Sequence, residues 1–240
     1  MLIIPAIDLK NGCVVRLYQG KLKREKVYSD NPIDIAKYWE KEGAKLIHIV
    51  DLDGAVCGRP KNIKALKKVI QAIKVPVEFG GGIRREKDIK SLLDIGIYRV
   101  ILGTLAFENR ILLEKLIAKY KDRIIVSIDV KNKGAIALKG WTEDGGARSD
   151  LVSFAGYLSK IGVHKIIYTD IERDGTLLGP REALLRNYLN RLSENKYNIS
   201  VIMGGGISSL NDVKALKKLE RMGLVGIIIG KALYEGKFKL

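Results

Sequence analysis

The chain has 240 residues, 47% of them hydrophobic and 29% charged, which excludes a disordered segment and leaves material for one large core. No apolar run approaches the roughly 18 residues of a membrane span. The opening MLIIPAIDLK has no basic stretch ahead of it, so no membrane partner or secretory leader is expected and the expected compartment is the cytoplasm. Lys and Arg (43) exceed Asp and Glu (27) by a net charge of +16, but the lysines scatter over helical stretches (Lys64, Lys67, Lys68; Lys214, Lys217, Lys218) without interleaved aromatics. That pattern reads as a solvated basic surface able to steer an anionic substrate, not as a nucleic-acid stripe.

In chain order, nearly continuous apolar runs rich in Ile and Val fall at residues 2–7, 46–50, 75–79, 100–102, 124–128, 166–168, 199–203 and 226–229. Runs of that kind are strands buried on both faces. Helical patterns separate them at 32–42, 62–73, 85–93, 108–120, 150–160, 181–193 and 210–222. Asn31 followed by Pro32 is a helix start, and Gly43, Gly96, Gly162 and Gly223 stand where helices should stop. Eight strands alternating with helices predict an α/β protein with a parallel sheet. Eight is also the number that closes a (β/α)8 TIM barrel, the expected fold; a doubly wound open sheet is the alternative.

The second half echoes the first. Ala6-Ile7-Asp8-Leu9-Lys10-Asn11 matches Ser127-Ile128-Asp129-Val130-Lys131-Asn132, and Glu78-Phe79-Gly80-Gly81-Gly82-Ile83 matches Ile202-Met203-Gly204-Gly205-Gly206-Ile207. Val50-Asp51 with Asp53-Gly54 echoes Thr169-Asp170 with Asp174-Gly175, and Leu102-Gly103-Thr104 echoes Ile229-Gly230-Lys231. The expectation is one domain over residues 1–240 made of two half-barrels, about 1–120 and 121–240.

Barrel enzymes work at the C-terminal ends of their strands. Asp8 ends the first predicted strand and Asp129 the fifth, so two carboxylates face each other across the mouth, an arrangement suited to proton transfer. Each glycine run ends a strand ahead of a helix, where exposed backbone N–H groups bind phosphate. Gly81 and Gly82 with Gly103 and Thr104 predict one phosphate cup, and Gly205 and Gly206 with Gly230 and Lys231 a second on the opposite rim. A small substrate with a phosphate at each end follows. The chain has no HExxH, P-loop or lysine ending a central strand. The cysteines Cys13 and Cys57 stand far apart as reduced thiols, and the only histidines are His48 and His164. No metal or cofactor is called for, and acid–base isomerisation is the chemistry left.

These residues resemble the phosphoribosylformimino-aminoimidazole carboxamide ribotide isomerases of histidine biosynthesis. The markers are Ile4-Pro5-Ala6-Ile7-Asp8-Leu9, Val15-Arg16-Leu17-Tyr18-Gln19-Gly20, His48-Ile49-Val50-Asp51-Leu52-Asp53-Gly54-Ala55, Gly80-Gly81-Gly82-Ile83-Arg84, Lys139-Gly140-Trp141, Thr169-Asp170-Ile171-Glu172-Arg173-Asp174-Gly175-Thr176 and Gly230-Lys231-Ala232-Leu233-Tyr234. The similarity spans nearly the whole chain and implies a cofactor-free Amadori rearrangement, aldose to ketose, of a bisphosphorylated ribotide. It implies Asp8 as base and Asp129 as acid, with Asp174 a rival for the acid. It implies Thr169 hydrogen-bonding the reacting centre and His48, at the end of the second strand, contacting substrate. Arg16 and Trp141 would lie on long loops after strands one and five, clamping a phosphate or carboxamide and stacking on the imidazole, with Gly134, Gly145 and Gly146 letting the second loop close.

The related cyclase subunit of imidazole glycerol phosphate synthase is the alternative. Ala6, Arg16 and Gly140-Trp141 depart from its pattern. An added phosphoribosylanthranilate isomerase activity is the other alternative, and Gly80 argues for one substrate. A monomer is expected, His164 is assigned no role, and the chain's early end makes the eighth helix a stub in thin contact with the first.

Overall fold

The computed structural model describes residues 1–131, 135–138, 143–144 and 150–240. Eight parallel strands run in chain order: β1 (Leu2–Lys10), β2 (Ile47–Asp51), β3 (Val77–Gly80), β4 (Arg99–Leu102), β5 (Ile124–Lys131), β6 (Lys165–Asp170), β7 (Ser200–Gly204) and β8 (Leu224–Ile229). Each pairs with its successor. β8 pairs with β1, with Ile4 opposite Ile228, so no strand edge is left open and the doubly wound alternative falls away. The helices α1 (Pro32–Lys41), α2 (Ile63–Ala72), α3 (Glu86–Asp94), α4 (Arg110–Tyr120), α5 (Leu151–Lys160), α6 (Glu182–Glu194), α7 (Leu210–Lys217) and α8 (Lys231–Tyr234) lie between and after the strands.

Two cores follow from strands apolar on both faces. Ile4, Leu46, Ile101, Ile125, Ile167 and Ile202 fill the barrel lumen. The other faces of the strands pack the helices through residues such as Ile7, Phe79, Leu92, Val126, Leu158 and Met203. Local signals hold where they were read. Asn31 accepts from the Ile33 N–H with Pro32 opening α1, and Gly43, Gly96, Gly162 and Gly223 all have φ between +91° and +100°. The stretch 108–120 is not one helix. A short helix, Thr104–Glu108, precedes α4, and Asn109 between them is extended and caps α4 at Leu112.

The largest departure follows β1. The segment expected as a long loop is a hairpin arm: Cys13–Tyr18 pairs antiparallel with β1, and Lys21–Ser29 pairs with Cys13–Tyr18. Its two turns are signalled in the sequence. Asn11-Gly12 joins Lys10 to Cys13 and Gln19-Gly20 joins Tyr18 to Lys21, and all four turn residues have positive φ, as tight two-residue hairpins require. Arg16 therefore sits on a strand. A shorter extension, Ala135–Leu138, pairs antiparallel with β5. Trp141, with Lys139 and Gly140, lies outside the described residues, as do Gly134, Gly145 and Gly146.

The eighth helix is a stub of four residues, as expected, but its contact with α1 is not thin. Tyr234 meets Trp39 edge-on with ring centroids 5.4 Å apart, packs on Tyr28 of the arm at 4.7 Å and donates its hydroxyl to the Ala6 carbonyl at 3.1 Å. Large aromatic area compensates for few residues.

Candidate active site

One cavity opens at the C-terminal ends of the strands and brings Asp8, Arg16, His48, Asp129, Thr169 and Asp174 together. Asp8 is on β1 and Asp129 on β5, opposite one another in a closed ring of eight. Strand alternation aims both inward, because Asp8 is two residues beyond Ala6 and Asp129 two beyond Ser127, and all four line the cavity. Ser127 donates from Oγ to Asp129 Oδ1 at 2.7 Å. Thr169 is the register partner of Asp129. His48 is the second residue of β2 and not its end. It pairs with Ala6 and sits one step deeper than Asp8, whose partner is Val50.

Asp174 comes from the turn after β6, and the hairpin arm brings Arg16 to it. Gln19 ties arm and turn together, its backbone N–H bonding the Asp174 carbonyl and its side chain the Glu172 carbonyl, each at 3.0 Å. A side chain at Gly175 would run into the Leu17 carbonyl, so glycine lets the two loops meet. Arg16, 7% exposed, then reaches Asp8 at 2.8 Å and Asp174 at 3.5 Å. Arg16 thus forms a buried bridge between two site carboxylates.

Burial raises the Asp8 carboxyl above its ordinary range, with Arg16 opposing the rise. Burial also raises Asp174, pushing it up to about 6; Arg16 opposes, while the charges of Asp8 and Asp129 push the same way. Two carboxylates share one guanidinium, and Asp174 has the longer ion pair of the two.

The glycine runs frame the cavity from both sides. Gly81, Gly82, Gly103 and Thr104 line one end and Gly204 and Gly205 the other, while Gly205, Gly206, Gly230 and Lys231 surround a smaller adjoining pocket with Asp174. Their need for glycine is not uniform. At Gly81, φ +109°, a Cβ would strike the Asp51 carbonyl, and at Gly205, φ +93°, the Asp170 carbonyl, so these residues are small because the preceding βα turn packs on them. Over Gly103 the space is open. Over Gly230 it is filled by the Arg16 guanidinium, whose Nε has no hydrogen-bond partner among the described residues. Lys231 is turned away from this space, donating to the Gly175 carbonyl at 3.0 Å.

Residues 2–239 match the model of the family described as histidine biosynthesis protein. The chain belongs to that family. It is 42% identical over 238 residues to a protein of Persephonella marina, covering 99% of this chain and 95% of the relative. It is 45% identical to proteins of Crocosphaera subtropica (99% and 90% covered) and Clostridium botulinum (100% and 95%). All three relatives are named 1-(5-phosphoribosyl)-5-((5-phosphoribosylamino)methylideneamino) imidazole-4-carboxamide isomerase.

Within this histidine biosynthesis fold, some site features escaped the sequence reading. Ser127 looked like a strand residue, yet its position two before Asp129 predicts a shared face. Arg84 lines the cavity beside the first glycine run and brings a cation there; it stood next to the Gly80–Ile83 motif. Asp51 and Asp170, the echoed pair, are buried loop anchors. Asp51 accepts from the N–H groups of Gly54, Lys61 and Asn62, and Asp170 takes both arms of Arg181 at 2.6 Å. They shape the turns on which the glycine runs rest. His164 is exposed before β6, outside the cavity. Among the described residues no helix is long and apolar enough to cross a membrane.

Proposed function

We propose that this chain is the isomerase its relatives are named for, converting a bisphosphorylated aminoaldose ribotide to its ketose by an acid–base Amadori rearrangement in histidine biosynthesis. The observation that carries the reading is the cavity itself, with carboxylates at its centre and a glycine-lined turn at each end. Each half of the chain, about 1–120 and 121–240, contributes one centre carboxylate and one anion cup, so a single copy completes the site. Gly81, Gly82, Gly103 and Thr104 hold one phosphate through backbone N–H groups, with Arg84 adding charge. Gly205, Gly206, Gly230 and Lys231 hold the other.

The acid is assigned to Asp174. A general acid must hold a proton near its working pH, and burial with poor ion pairing supports that for Asp174. Asp174 protonates the ribose ring oxygen, the C1–O bond breaks and the Schiff base forms. Asp8, held by Arg16 at 2.8 Å, removes the proton from C2 to give the enolamine, which tautomerises to the ketose. Asp129, Thr169 and His48 bind the hydroxyls between the phosphates, and Arg16 also meets the anionic end over Gly230. Trp141 is assigned to stacking on the imidazole by resemblance.

The test is a spectrophotometric assay with the bisphosphate ribotide. Wild type should isomerise it, and Asp8→Asn should bind it with unchanged order of affinity while losing turnover. Turnover by Asp8→Asn at the wild-type rate would end the proposal. Conversion of phosphoribosylanthranilate by the same protein would establish the second activity.

A further inference from the structure

A charged layer lies below Asp8 that the proton transfers do not use. Register sets Ala6, His48, Glu78 and Arg99 side by side on β1, β2, β3 and β4. Glu78 is 0% exposed, Arg99 6% and His48 9%. Arg99 donates to Oε2 of Glu78 from Nε at 2.8 Å and from Nη2 at 2.6 Å, and the other carboxylate oxygen lies 2.6 Å from Nδ1 of His48. Burying such groups is costly even when they are paired.

The barrel does not require this cost. The matching layer across β5, β6, β7 and β8 is Ser127, Ile167, Ile202 and Gly226, in register in the same way. The glycine runs align Ile202 with Glu78, and Asp129 stands two residues beyond Ser127 as Asp8 stands two beyond Ala6. One half of the ring therefore closes with apolar residues where the other uses an arginine, a glutamate and a histidine. Burial would raise the Glu78 carboxyl, but the hydrogen bond with His48 and the charge and hydrogen bonds of Arg99 hold Glu78 below its ordinary value, as a carboxylate. A carboxylate only accepts, so the His48 nitrogen facing it carries the proton, and Nε2 is left for the cavity that His48 lines.

We propose that Glu78 and Arg99 are positioning residues: they lock His48 as the Nδ1–H tautomer so that Nε2 accepts a hydrogen bond from the sugar hydroxyl beside the carbon that Asp8 deprotonates. Arg99 balances the Glu78 charge and fixes its rotamer, so the pair supplies His48 with orientation. This rests on the isomerase reading above.

Nitrogen-15 NMR of histidine-labelled protein tests it directly, because the chain has only two histidines and a His164→Asn variant assigns the spectrum. Near neutral pH wild-type His48 should show a protonated Nδ1 and a bare Nε2. In Glu78→Gln the amide oxygen can still accept from Arg99 while its N–H donates to Nδ1, so the His48 proton should move to Nε2. The kcat should fall by about 10- to 100-fold, the usual loss when a carboxylate orienting a histidine is replaced, with KM changed far less. A wild-type proton on Nε2 would overturn the proposal whether or not the variant folds, and so would a switched tautomer with unchanged kcat. Absence of turnover in the wild type would overturn the functional reading alone, leaving the NMR result to decide the tautomer.

Discussion

Three aspartates serve one cavity, and their neighbours, not their residue type, set their roles. Asp174 stood in the sequence as the echo of Asp53 and, by resemblance, as a rival for the acid, with nothing local to show that burial raises it. Its proton depends on burial and on an arginine 158 residues away in sequence. The consequence for stability has a definite sign. The folded carboxyl is raised from 3.8 to about 6, so its contribution is full below the unfolded value and is lost as pH rises through about 6. A shift of that size is worth at most roughly 3 kcal/mol. Asp174→Asn removes the penalty, so its melting temperature should exceed that of wild type at pH 8, and the gap should narrow as pH falls through about 6 and close only near pH 3.8. A gap independent of pH would refute the raised carboxyl. In the assay, Asp174→Asn should lose about 10²- to 10⁴-fold in kcat, the span of general acid catalysis, and Asp129→Asn clearly less; the reverse order would return the acid to Asp129.

At the scale of elements, the glycine runs and the turns behind them form one unit. By sequence, Gly81, Gly82, Gly103, Gly205, Gly206 and Gly230 all read as room for an anion. The structure divides them: Gly81 and Gly205 give way to a neighbouring carbonyl, and Gly103 alone of these three faces open space. Gly81→Ala should therefore destabilise the protein by about 1–3 kcal/mol or more, from positive φ and the clash with the Asp51 carbonyl. Gly103→Ala should cost much less stability and instead raise KM for the bisphosphate. Chemical denaturation beside steady-state kinetics separates the two, and equal stability losses would show the division to be wrong. The turns of the hairpin arm were legible too, at Asn11-Gly12 and Gln19-Gly20, but its strand Lys21–Ser29 carries the charged run Lys23-Arg24-Glu25-Lys26 and reads as loop when strands are sought as continuous apolar runs.

The whole molecule is held shut by its first and last strands, and the short end of the chain contributes through packing. Phe238, 7% exposed, joins the main core beyond the α8 stub, while Tyr28, Trp39 and Tyr234 clamp the arm and α1 to that stub. Phe238→Ala should cost about 3–5 kcal/mol in urea unfolding, the usual loss for a buried phenylalanine. A loss below about 1 kcal/mol would mean that the last residues merely lie on the surface. Because Lys26 and Tyr28 of the arm also reach Glu235, the end of the chain supports the arm that carries Arg16.

Sequence alone determined the alternation of eight strands with helices, the positions of Asp8, Asp129 and both glycine runs, and the likeness between halves. All of these are local: apolar period, caps and motifs lie within a few neighbouring residues and survive without knowledge of contacts. Tertiary structure decided which carboxylates share Arg16, that burial raises Asp174, that His48 rests on Glu78 and Arg99, and which glycines face an open space. Those properties come from dielectric and from pairings between distant segments. They exist only once the strands have closed and water has been removed from between them.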